Sequence, residues 1–441
     1  LEGTIARNEL GQEFTLAELA AKGTANKAIR RAELMTRIAG FERIALGLGH
    51  AGMFMTITCP SRMHKWRTFK NKVRQVVKVE ENPRYDGTNP REANEYLGKV
   101  WSRIRARLHR KGVRVYGFRI AEPNHDGTPH WHFLVFHEPA HLAELQSAVL
   151  THALRDSPDE RGALEHRCDF KPIDWSNGGS AAGYIAKYVA KNIDGYKLGE
   201  DLFGNPAMEA SARVEAWAAT WRIRQFQQVG GPPVSVWREL RRVESLPDDA
   251  PDFMQAAHRA VNKVAVIEGR ENASVAWDHY VRAQGGVFCG RGYRIKLAKV
   301  EQEGRSRYGD ELADRVIGVE AVTRETYTPA HMAHMGGQAE RLVEWVAEST
   351  RHKWEIVGRP GASGEGGFIG SAAQPLAPWT CVNNCTEGGS NGHVSYEGEG
   401  SGVPNRLRQC ESDDSRPNRA FRDAPVGPDG RNDYGDGWLK G

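Results

Sequence analysis

The sequence lacks several features that would assign it to well-known classes of protein. No run reaches the roughly 18 apolar residues of a membrane span, so no membrane partner is expected. A phosphate loop of the GxxxxGKS or GxxxxGKT type is absent from the 441 residues, which argues against a helicase motor within them. The net charge is only +4, so affinity for nucleic acid would have to come from local clusters of basic residues.

Cysteine is also scarce, with six residues scattered along the chain. Cys381, Cys385 and Cys410 are the most closely spaced group, but they lack the second close pair of a structural zinc site. The spacing therefore predicts reduced thiols and a cytoplasmic location. The chain starts at Leu1 without a signal-peptide pattern, and both a fragment and an unusual start stay open as interpretations.

A pair of histidines on one apolar strand predicts a metal site. Side chains alternate along a strand, so His130 and His132 share a face. Residues 113–122 also have the character of a strand, and a turn-rich segment joins the two. A hairpin with Glu122 opposite His130 places Ile120 opposite His132, and Glu122 then joins the histidine face. Two imidazoles and a carboxylate suit a divalent cation, Mg²⁺ or Mn²⁺, that also holds a substrate oxygen.

Two tyrosines further along the chain predict a nucleophile. Residues 180–192 lack proline and follow a plausible helix start, so Tyr184 and Tyr188 lie one turn apart on one face. Lys187 and Lys191 follow the tyrosines at the same spacing and would offer cationic donors to a phosphodiester. A phenol with a pKa of about 10 is a weak nucleophile and needs a polarised target. Together, a metal site and a tyrosine pair are suited to cutting a DNA strand and keeping its end.

A basic helix predicts further contacts with DNA. Basic residues greatly outnumber acidic ones between residues 62 and 114, and residues 101–111 read as a helix. Beside a nuclease site, such a helix would neutralise phosphates and make binding sensitive to salt. The candidate DNA-binding residues on it are Arg103, Arg107 and Arg110.

The order of the predicted elements indicates an α+β fold. Antiparallel strands beside crossing helices fit a ferredoxin-like or palm-like sheet. Helices are predicted at residues 14–48, 91–111, 140–155, 180–192, 212–226, 234–243 and 251–284, and strands at 53–59, 113–122, 129–136 and 293–300. The expected division is an N-terminal helical segment at 1–50, the α/β core at 51–195, a mainly helical region at 196–335, and a linker with a mostly disordered, glycine-rich tail at 336–441.

Three segments, in this order, resemble motifs of the HUH endonucleases, specifically the replication gene A protein family of bacteriophages and prophages. Residues 54–64 resemble its first motif, residues 117–132 its metal motif and residues 184–191 its two-tyrosine motif. The resemblance runs from about residue 30 to residue 318. It identifies residues 51–195 as an HUH nuclease core flanked by helical segments, and analogy with other HUH proteins supports Glu122 as the third ligand.

Family membership implies an initiator of rolling-circle replication. Such a protein nicks one strand at an origin through Tyr184 or Tyr188, keeps a 5′-phosphotyrosine link and later rejoins the strand. The implied partners are single-stranded or supercoiled origin DNA and a host helicase, in the cytoplasm of a bacterial host cell. Tyr116, on the strand that carries Glu122, is the next candidate nucleophile.

Other interpretations of these residues stay open. The same chemistry would serve an HUH relaxase or a transposase. The histidines could instead be packed in the sheet of a non-catalytic DNA-binding protein, or the site could belong to a metal-dependent hydrolase that uses water, with the tyrosines in its core. Covalent capture of labelled DNA separates the tyrosine-using enzymes from the last two.

Overall fold

A computed structural model describes residues 1–23, 25–70, 77–175, 180–193, 207–263, 266–267, 270–306, 309–327, 339–358 and 379–380. These residues form a mixed α+β fold with several antiparallel sheets, which confirms the predicted class. Within this part of the chain, none of the helices combines the length and apolar character needed to cross a membrane.

The elements are numbered in chain order. The helices are α1 (Leu16–Lys22), α2 (Lys27–Leu48), α3 (Pro90–Arg110), α4 (Leu142–Ala153), α5 (Ala163–His166), α6 (Ala181–Ile193), α7 (Ala207–Thr220), α8 (Val234–Leu240), α9 (Asp252–Asn262) and α10 (Ala273–Ala283). The strands are β1 (Ile5–Asn8), β2 (Glu13–Thr15), β3 (Ala51–Ile57), β4 (Trp66–Lys70), β5 (Val77–Glu81), β6 (Val115–Pro123), β7 (Pro129–His137), β8 (Cys168–Pro172), β9 (Phe226–Val229), β10 (Val266–Ile267), β11 (Arg270–Glu271), β12 (Ile295–Val300), β13 (Arg315–Tyr327), β14 (Ala339–Glu348), β15 (Lys353–Gly358) and β16 (Trp379–Thr380).

The central sheet has five antiparallel strands in the order β8-β3-β7-β6-β9. Side chains alternate between its two faces, and residues directly opposite each other on neighbouring strands share a face. Phe54 of β3 lies opposite Leu134 of β7, which lies opposite Phe118 of β6. Because side chains alternate along each strand, such rows divide the residues of the sheet into two sets, one on each face. Each face is covered by its own helices.

One face is covered by α2 and α6. Its buried residues include Phe54 and Leu134, which belong to the same core as Phe41 of α2 and Ile185 of α6. The other face is covered by α3 and α4, where Met55 and Phe133 belong to a second core. The residues of α3 in that core recur at helical spacing: Ala93, Leu97, Val100, Trp101, Ile104 and Leu108. The two faces are named below the tyrosine face, on the α6 side, and the arginine-helix face, on the α3 side.

Local residues explain where α3 begins and where the β6–β7 hairpin turns. Asn89 caps α3 by accepting from the Glu92 backbone N–H, Glu92 accepts from the Asn89 backbone, and Pro90 occupies the first turn. In the hairpin loop the Asn124 amide donates to the Thr128 carbonyl over 2.9 Å. Gly127 has a φ of 83°, a left-handed conformation that glycine adopts without strain. The loop therefore has the residues that fix the hairpin register.

The N-terminal region differs from the predicted continuous helix at 14–48. Strands β1 and β2 precede two separate helices, because Thr15 caps α1 and Asn26 caps α2. Strand β1 pairs with both β2 and the distant β15. The helix predicted at 14–48 is therefore corrected to β2 and two separate helices, and the N-terminal helical segment at 1–50 stays a prediction.

The C-terminal half contains more strand than predicted. The predicted helix at 251–284 is two helices, α9 and α10, with the β10–β11 pair between them and Asn272 capping α10. Strand β12 lies within the predicted strand at 293–300, but β13 and β14 were not predicted. Each strand buries one side, as at Trp345 and Ala347, but apolar residues such as Leu342 and Val346 also lie on the exposed side.

Strands β14 and β15 also correct the expectation that residues 336–441 hold only a linker and tail. The expected tail beyond residue 358 lies outside the described residues, apart from β16. The division into segments at residues 50, 195 and 335 stays a prediction.

Candidate metal and tyrosine site

The β6–β7 hairpin has the register that the sequence predicts. Glu122 lies opposite His130, and Ile120 lies opposite His132. One oxygen of Glu122 is 3.9 Å from Nε2 of His130 and 3.6 Å from Nε2 of His132. One potential ligand atom from each of the three residues lies within 4.8 Å of the others. The hairpin thus groups two imidazoles and a carboxylate as a divalent cation would require.

Two neighbours that the sequence did not single out orient this group. The Thr56 hydroxyl of β3 lies 2.9 Å from Nδ1 of His132, and this contact directs the opposite ring nitrogen towards Glu122. The Asn192 amide of α6 donates to the other oxygen of Glu122 and, over 2.7 Å, to the Tyr188 carbonyl. Contacts of this kind fix the orientation of metal ligands in proteins. Asn192 also joins the candidate metal group directly to the tyrosine helix.

The residues fit a cation by their chemistry and by their burial. The Glu122 side chain is only 2% exposed, and a carboxylate so buried needs hydrogen bonds or a positive charge beside it. Two imidazoles that point their Nε2 atoms at it can share a cation with it when both rings are neutral. The ligand roles of Glu122, His130 and His132, and the choice of Mg²⁺ or Mn²⁺, stay predictions.

Helix α6 presents both tyrosines to the sheet. The helix begins where Glu42 of α2 accepts from the backbone N–H groups of Ala181 and Ala182, over 2.8 and 3.1 Å. A carboxylate at this position also complements the positive end of the helix dipole. Tyr184 and Tyr188 follow on one face, with ring centroids 6.1 Å apart. The predicted helix and the spacing of its tyrosines are therefore confirmed.

The tyrosines share the tyrosine face with the histidine group. The Tyr188 ring centroid is 4.6 Å from that of His132. Phe54 lies beneath both tyrosines, at 4.6 Å from Tyr184 and 5.1 Å from Tyr188. Burial raises the pKa of Tyr188, and Tyr184 and Glu122 raise it further. The Tyr188 phenol is thus protonated at neutral pH and depends on other groups to become a nucleophile.

The two predicted lysines of α6 cannot be placed against this group. The side chains of Lys187 and Lys191 lie outside the described residues, and their DNA-binding role stays a prediction. A different lysine lies beside the tyrosines. Lys171 of β8 is opposite Phe54, on the same face of the sheet, and its ammonium is 3.1 Å from the Asp169 carboxylate. The sequence reasoning missed this residue because β8 was not predicted.

The arginines predicted to bind DNA lie on the arginine-helix face. Arg103 and Arg110 are exposed on α3, whose apolar residues cover the opposite side of the sheet from α6. Arg103 borders a cavity of about 410 Å³ together with Tyr96 and His152. The structure does not bring these arginines together with the tyrosine pair, and their DNA-binding role stays a prediction.

Arg107 differs from its neighbours on α3 because α4 engages its guanidinium. It forms an ion pair with Glu144 at 2.7 Å and donates to the hydroxyls of Ser147 and Thr151 over 2.8 and 2.9 Å. Three contacts in one direction hold the side chain along α4. This geometry indicates a role in joining the two helices, beside the predicted one.

Two further histidines and a third tyrosine lie outside the metal and tyrosine group. His125 is exposed in the hairpin loop, and His137 is buried on the opposite face, where its Nδ1 lies 2.8 Å from the Glu138 carbonyl. Tyr116 is fully buried, and its hydroxyl lies 3.0 Å from Nδ1 of His50. Burial raises the pKa of Tyr116 and removes it from the reach of a DNA strand.

Comparison with known proteins gives this arrangement a family. Residues 1–196 match the family model described as bacteriophage replication gene A protein (GPA). The replication gene A protein of Escherichia phage P2 is 36% identical over 388 residues, which cover 86% of this chain and 46% of that protein. That of Escherichia phage 186 is 39% identical over 318 residues, covering 70% of this chain and 43% of the relative.

A third relative has a name that mentions an activity. The probable replication endonuclease from a prophage-like region of Salmonella typhimurium is 29% identical over 385 residues, covering 86% of this chain and 43% of that protein. No solved structure shows a significant match. The chain belongs to the bacteriophage replication gene A protein family, as its motifs predict. It spans about half the length of the curated relatives it matches.

Proposed function

We propose that this chain carries the nicking and rejoining centre of a rolling-circle replication initiator. In this proposal residues 51–195 form an HUH nuclease core that cuts one DNA strand at an origin and holds its 5′ end on a tyrosine. The observation that carries the proposal is the contact between the two predicted motifs: the Tyr188 ring lies 4.6 Å from the His132 ring of the histidine–glutamate group. The endonuclease name of prophage relatives supports the same activity.

The histidine–glutamate group would hold a divalent cation, Mg²⁺ or Mn²⁺. When bound, the cation would withdraw charge from the scissile phosphate and so favour attack on phosphorus. The protein's own part is to fix the ligands: Thr56 orients His132, and Asn192 holds Glu122 in place. Because Asn192 lies on α6, the same contact keeps the tyrosine helix in register with the metal ligands.

The tyrosines would supply the nucleophile. Attack by a phenol oxygen forms an Oη–P bond while the P–O3′ bond breaks, and the phenol proton ends on the released 3′-oxygen. The ester retains the bond energy of the phosphodiester, so a 3′-hydroxyl can later attack phosphorus and rejoin the strand without ATP. Two phenols 6.1 Å apart allow two successive transfers. Tyr184 and Tyr188 would therefore serve the start and the end of one round of synthesis.

The substrate in this proposal is single-stranded or supercoiled origin DNA. A host helicase is the expected partner for strand separation. Of the alternatives, a hydrolase that uses water leaves the tyrosines with a packing role only. The 42% exposure of Tyr184 argues against that role, since a tyrosine that serves the core would be buried.

Covalent capture tests the proposal. Single-stranded oligonucleotides tiled across the replicon that encodes the chain are labelled at the 3′ end and incubated with the protein and Mn²⁺. A 5′-phosphotyrosine link retains the 3′-labelled fragment on the protein through denaturing electrophoresis, whereas a 5′-labelled fragment is released with a free 3′-hydroxyl. Peptide mapping should find the adduct on residues 184–188. Cleavage of the labelled oligonucleotides without any protein–DNA adduct would instead establish the water-using hydrolase.

A further inference from the structure

The edge strand β8 adds charged residues to the tyrosine face. It pairs with β3 so that Lys171 lies opposite Phe54 and Asp169 lies opposite Thr56. Residues opposite each other in an antiparallel pair share a face. Phe54 contacts Tyr184, and Thr56 contacts His132. Asp169 therefore extends the cross-strand row of His132 to the edge of the sheet, and Lys171 extends the neighbouring row of Phe54.

The two tyrosines of α6 have different neighbours on this face of the sheet. Tyr188 packs against His132, whereas Tyr184 lies towards β8. Lys171 lies opposite Phe54, whose ring centroid is 4.6 Å from that of Tyr184, and the pKa of Lys171 is raised by its hydrogen bond to Asp169 and by Tyr184. The geometry thus gives each phenol its own source of positive charge: the candidate metal for Tyr188 and an ammonium for Tyr184.

Lys171 is also accessible to a DNA strand. The side chains of Lys171 and Asp169 are 57% and 54% exposed, and Tyr184 is 42% exposed. A lysine ammonium has three hydrogen-bond donors, so Lys171 can keep its contact with Asp169 and still donate to a phosphate. A phosphodiester on the Tyr184 oxygen would place two non-bridging oxygens, which share one negative charge, next to it.

We propose that Lys171, held in position by Asp169, forms a second phosphate subsite that binds the DNA phosphodiester attached to or attacked by Tyr184. The inference rests on the proposed function and assigns the two phenols to separate phosphates. Two DNA ends must be held at once during rejoining. The metal group would then hold one phosphate, and the Lys171 subsite would hold the other.

The subsite has a chemical role in the rejoining step. When a 3′-hydroxyl attacks phosphorus, an O3′–P bond forms, the Oη–P bond to Tyr184 breaks, and the hydroxyl proton passes to the departing phenol oxygen. The Lys171 ammonium donates a hydrogen bond to a non-bridging phosphate oxygen and lies near the Oη that gains charge. Hydrogen bonds between charged groups of this kind are stronger than neutral ones.

Separating the two phenols provides the test. In a Tyr188→Phe protein only Tyr184 can form the adduct, and in a Tyr184→Phe protein only Tyr188 can. We expect Lys171→Met to lower the rate of adduct formation by roughly tenfold or more in the first background. In the second background the change should be within about twofold, since Tyr188 has a separate phosphate. Lys171→Arg should restore much of the rate on Tyr184, because the positive charge is kept.

Two controls separate this role from a structural one. Lys299→Met removes an exposed lysine from β12, in another sheet, and should leave both rates unchanged. Asp169→Asn keeps the shape of the side chain but loosens the hold on Lys171, so it should lower the Tyr184 rate less than Lys171→Met does. Thermal melting of each variant confirms that the fold is retained.

The outcomes are distinct. Equal loss in both backgrounds would assign Lys171 to general DNA binding and overturn the subsite, as would an unchanged Tyr184 rate. If both phenylalanine proteins with Lys171 intact fail to form an adduct with Mn²⁺ and origin DNA, the proposed function itself has failed. That result is read before any change at Lys171 is made, so the two failures are distinguishable.

Discussion

The two faces of the central sheet are built from the same strands but carry different kinds of residue. On the arginine-helix face, residues such as Met55 and Phe133 pack against apolar side chains of α3 and α4, and the buried guanidinium of Arg119 lies over the Trp131 ring. On the tyrosine face the apolar row is interrupted at one end by Glu122, His132 and Tyr188. Alternation along a strand lets one sheet keep a stable core on one side and a reactive group on the other.

The two faces also differ in how their charged residues are arranged. The positive charge that is most visible in the sequence, on α3, lies on the face that is otherwise devoted to packing. On the tyrosine face, Glu122, His130 and His132 lie together, and the Thr56 hydroxyl and the Asn192 amide contact this group.

The largest effect is expected from removing the candidate metal ligands. His130→Ala combined with His132→Ala should abolish nicking, because the carboxylate of Glu122 alone cannot hold the cation beside the phosphate. DNA binding, measured by fluorescence anisotropy on the same oligonucleotide, should be largely retained. His125→Ala is the matched control, since this exposed histidine lies in the hairpin loop and outside the group. Full nicking by the double variant in the presence of chelator would disprove metal dependence.

An intermediate effect is expected from the residues that orient the ligands. Asn192→Ala removes the donor to Glu122, and Thr56→Val removes the contact to His132. Each should weaken the apparent Mn²⁺ affinity by roughly 10–100-fold. Nicking is measured against Mn²⁺ concentration, and the loss should be recovered at high metal. A loss that no concentration of Mn²⁺ restores would show that these residues act on the tyrosines rather than on the ligands.

A smaller effect, of a different kind, is expected on the arginine-helix face. Arg107→Ala should cost about 1–2 kcal/mol of unfolding free energy, because it breaks an ion pair and two hydrogen bonds to α4. Arg103→Ala and Arg110→Ala should leave stability nearly unchanged and lower DNA affinity if the predicted role is right. Denaturant unfolding and binding at several salt concentrations separate the two effects. An unchanged salt dependence in both exposed-arginine variants would remove α3 from the DNA-binding surface.

The smallest effect is expected from shortening the chain after Gly358. The composition beyond this residue is rich in glycine and polar residues and has little apolar surface to offset the entropy of ordering. A protein that ends there should fold and cleave single-stranded origin DNA at nearly the full rate. A soluble, folded but inactive product would reveal a role for the removed residues.

The sequence predicts the hairpin register and the spacing of the tyrosines because these signals are local. A short loop joins β6 and β7, so alternation and the loop together set Glu122 opposite His130. Tyr184 and Tyr188 need only one helical turn to meet. Thr56, Asn192 and Lys171 could not be predicted in the same way. Their roles depend on which distant strand or helix packs beside them, and no spacing along the chain encodes that.

The same reasoning explains the errors in the fold. Strand β1 has four residues and its neighbour β2 has three, while β15, the other partner of β1, lies about 350 residues away, so the local pattern that marks this sheet is very short. Strands β13 and β14 are longer, but apolar residues also lie on their exposed side, at Val322, Leu342 and Val346, and these interrupt the apolar–polar alternation. Arg107 shows the same limit, because no spacing along the chain indicates its ion pair with Glu144 of α4; its DNA-binding role stays a prediction.

The most direct test of the account is an adduct gel on three tyrosine variants. Tyr184→Phe and Tyr188→Phe should each still form a covalent adduct with a 3′-labelled origin oligonucleotide, because one phenol can replace the other in a single cleavage. Neither should join two strands in sequence, which needs both. The double variant should bind DNA and form no adduct. An adduct that persists in the double variant would place the nucleophile outside α6 and contradict the account.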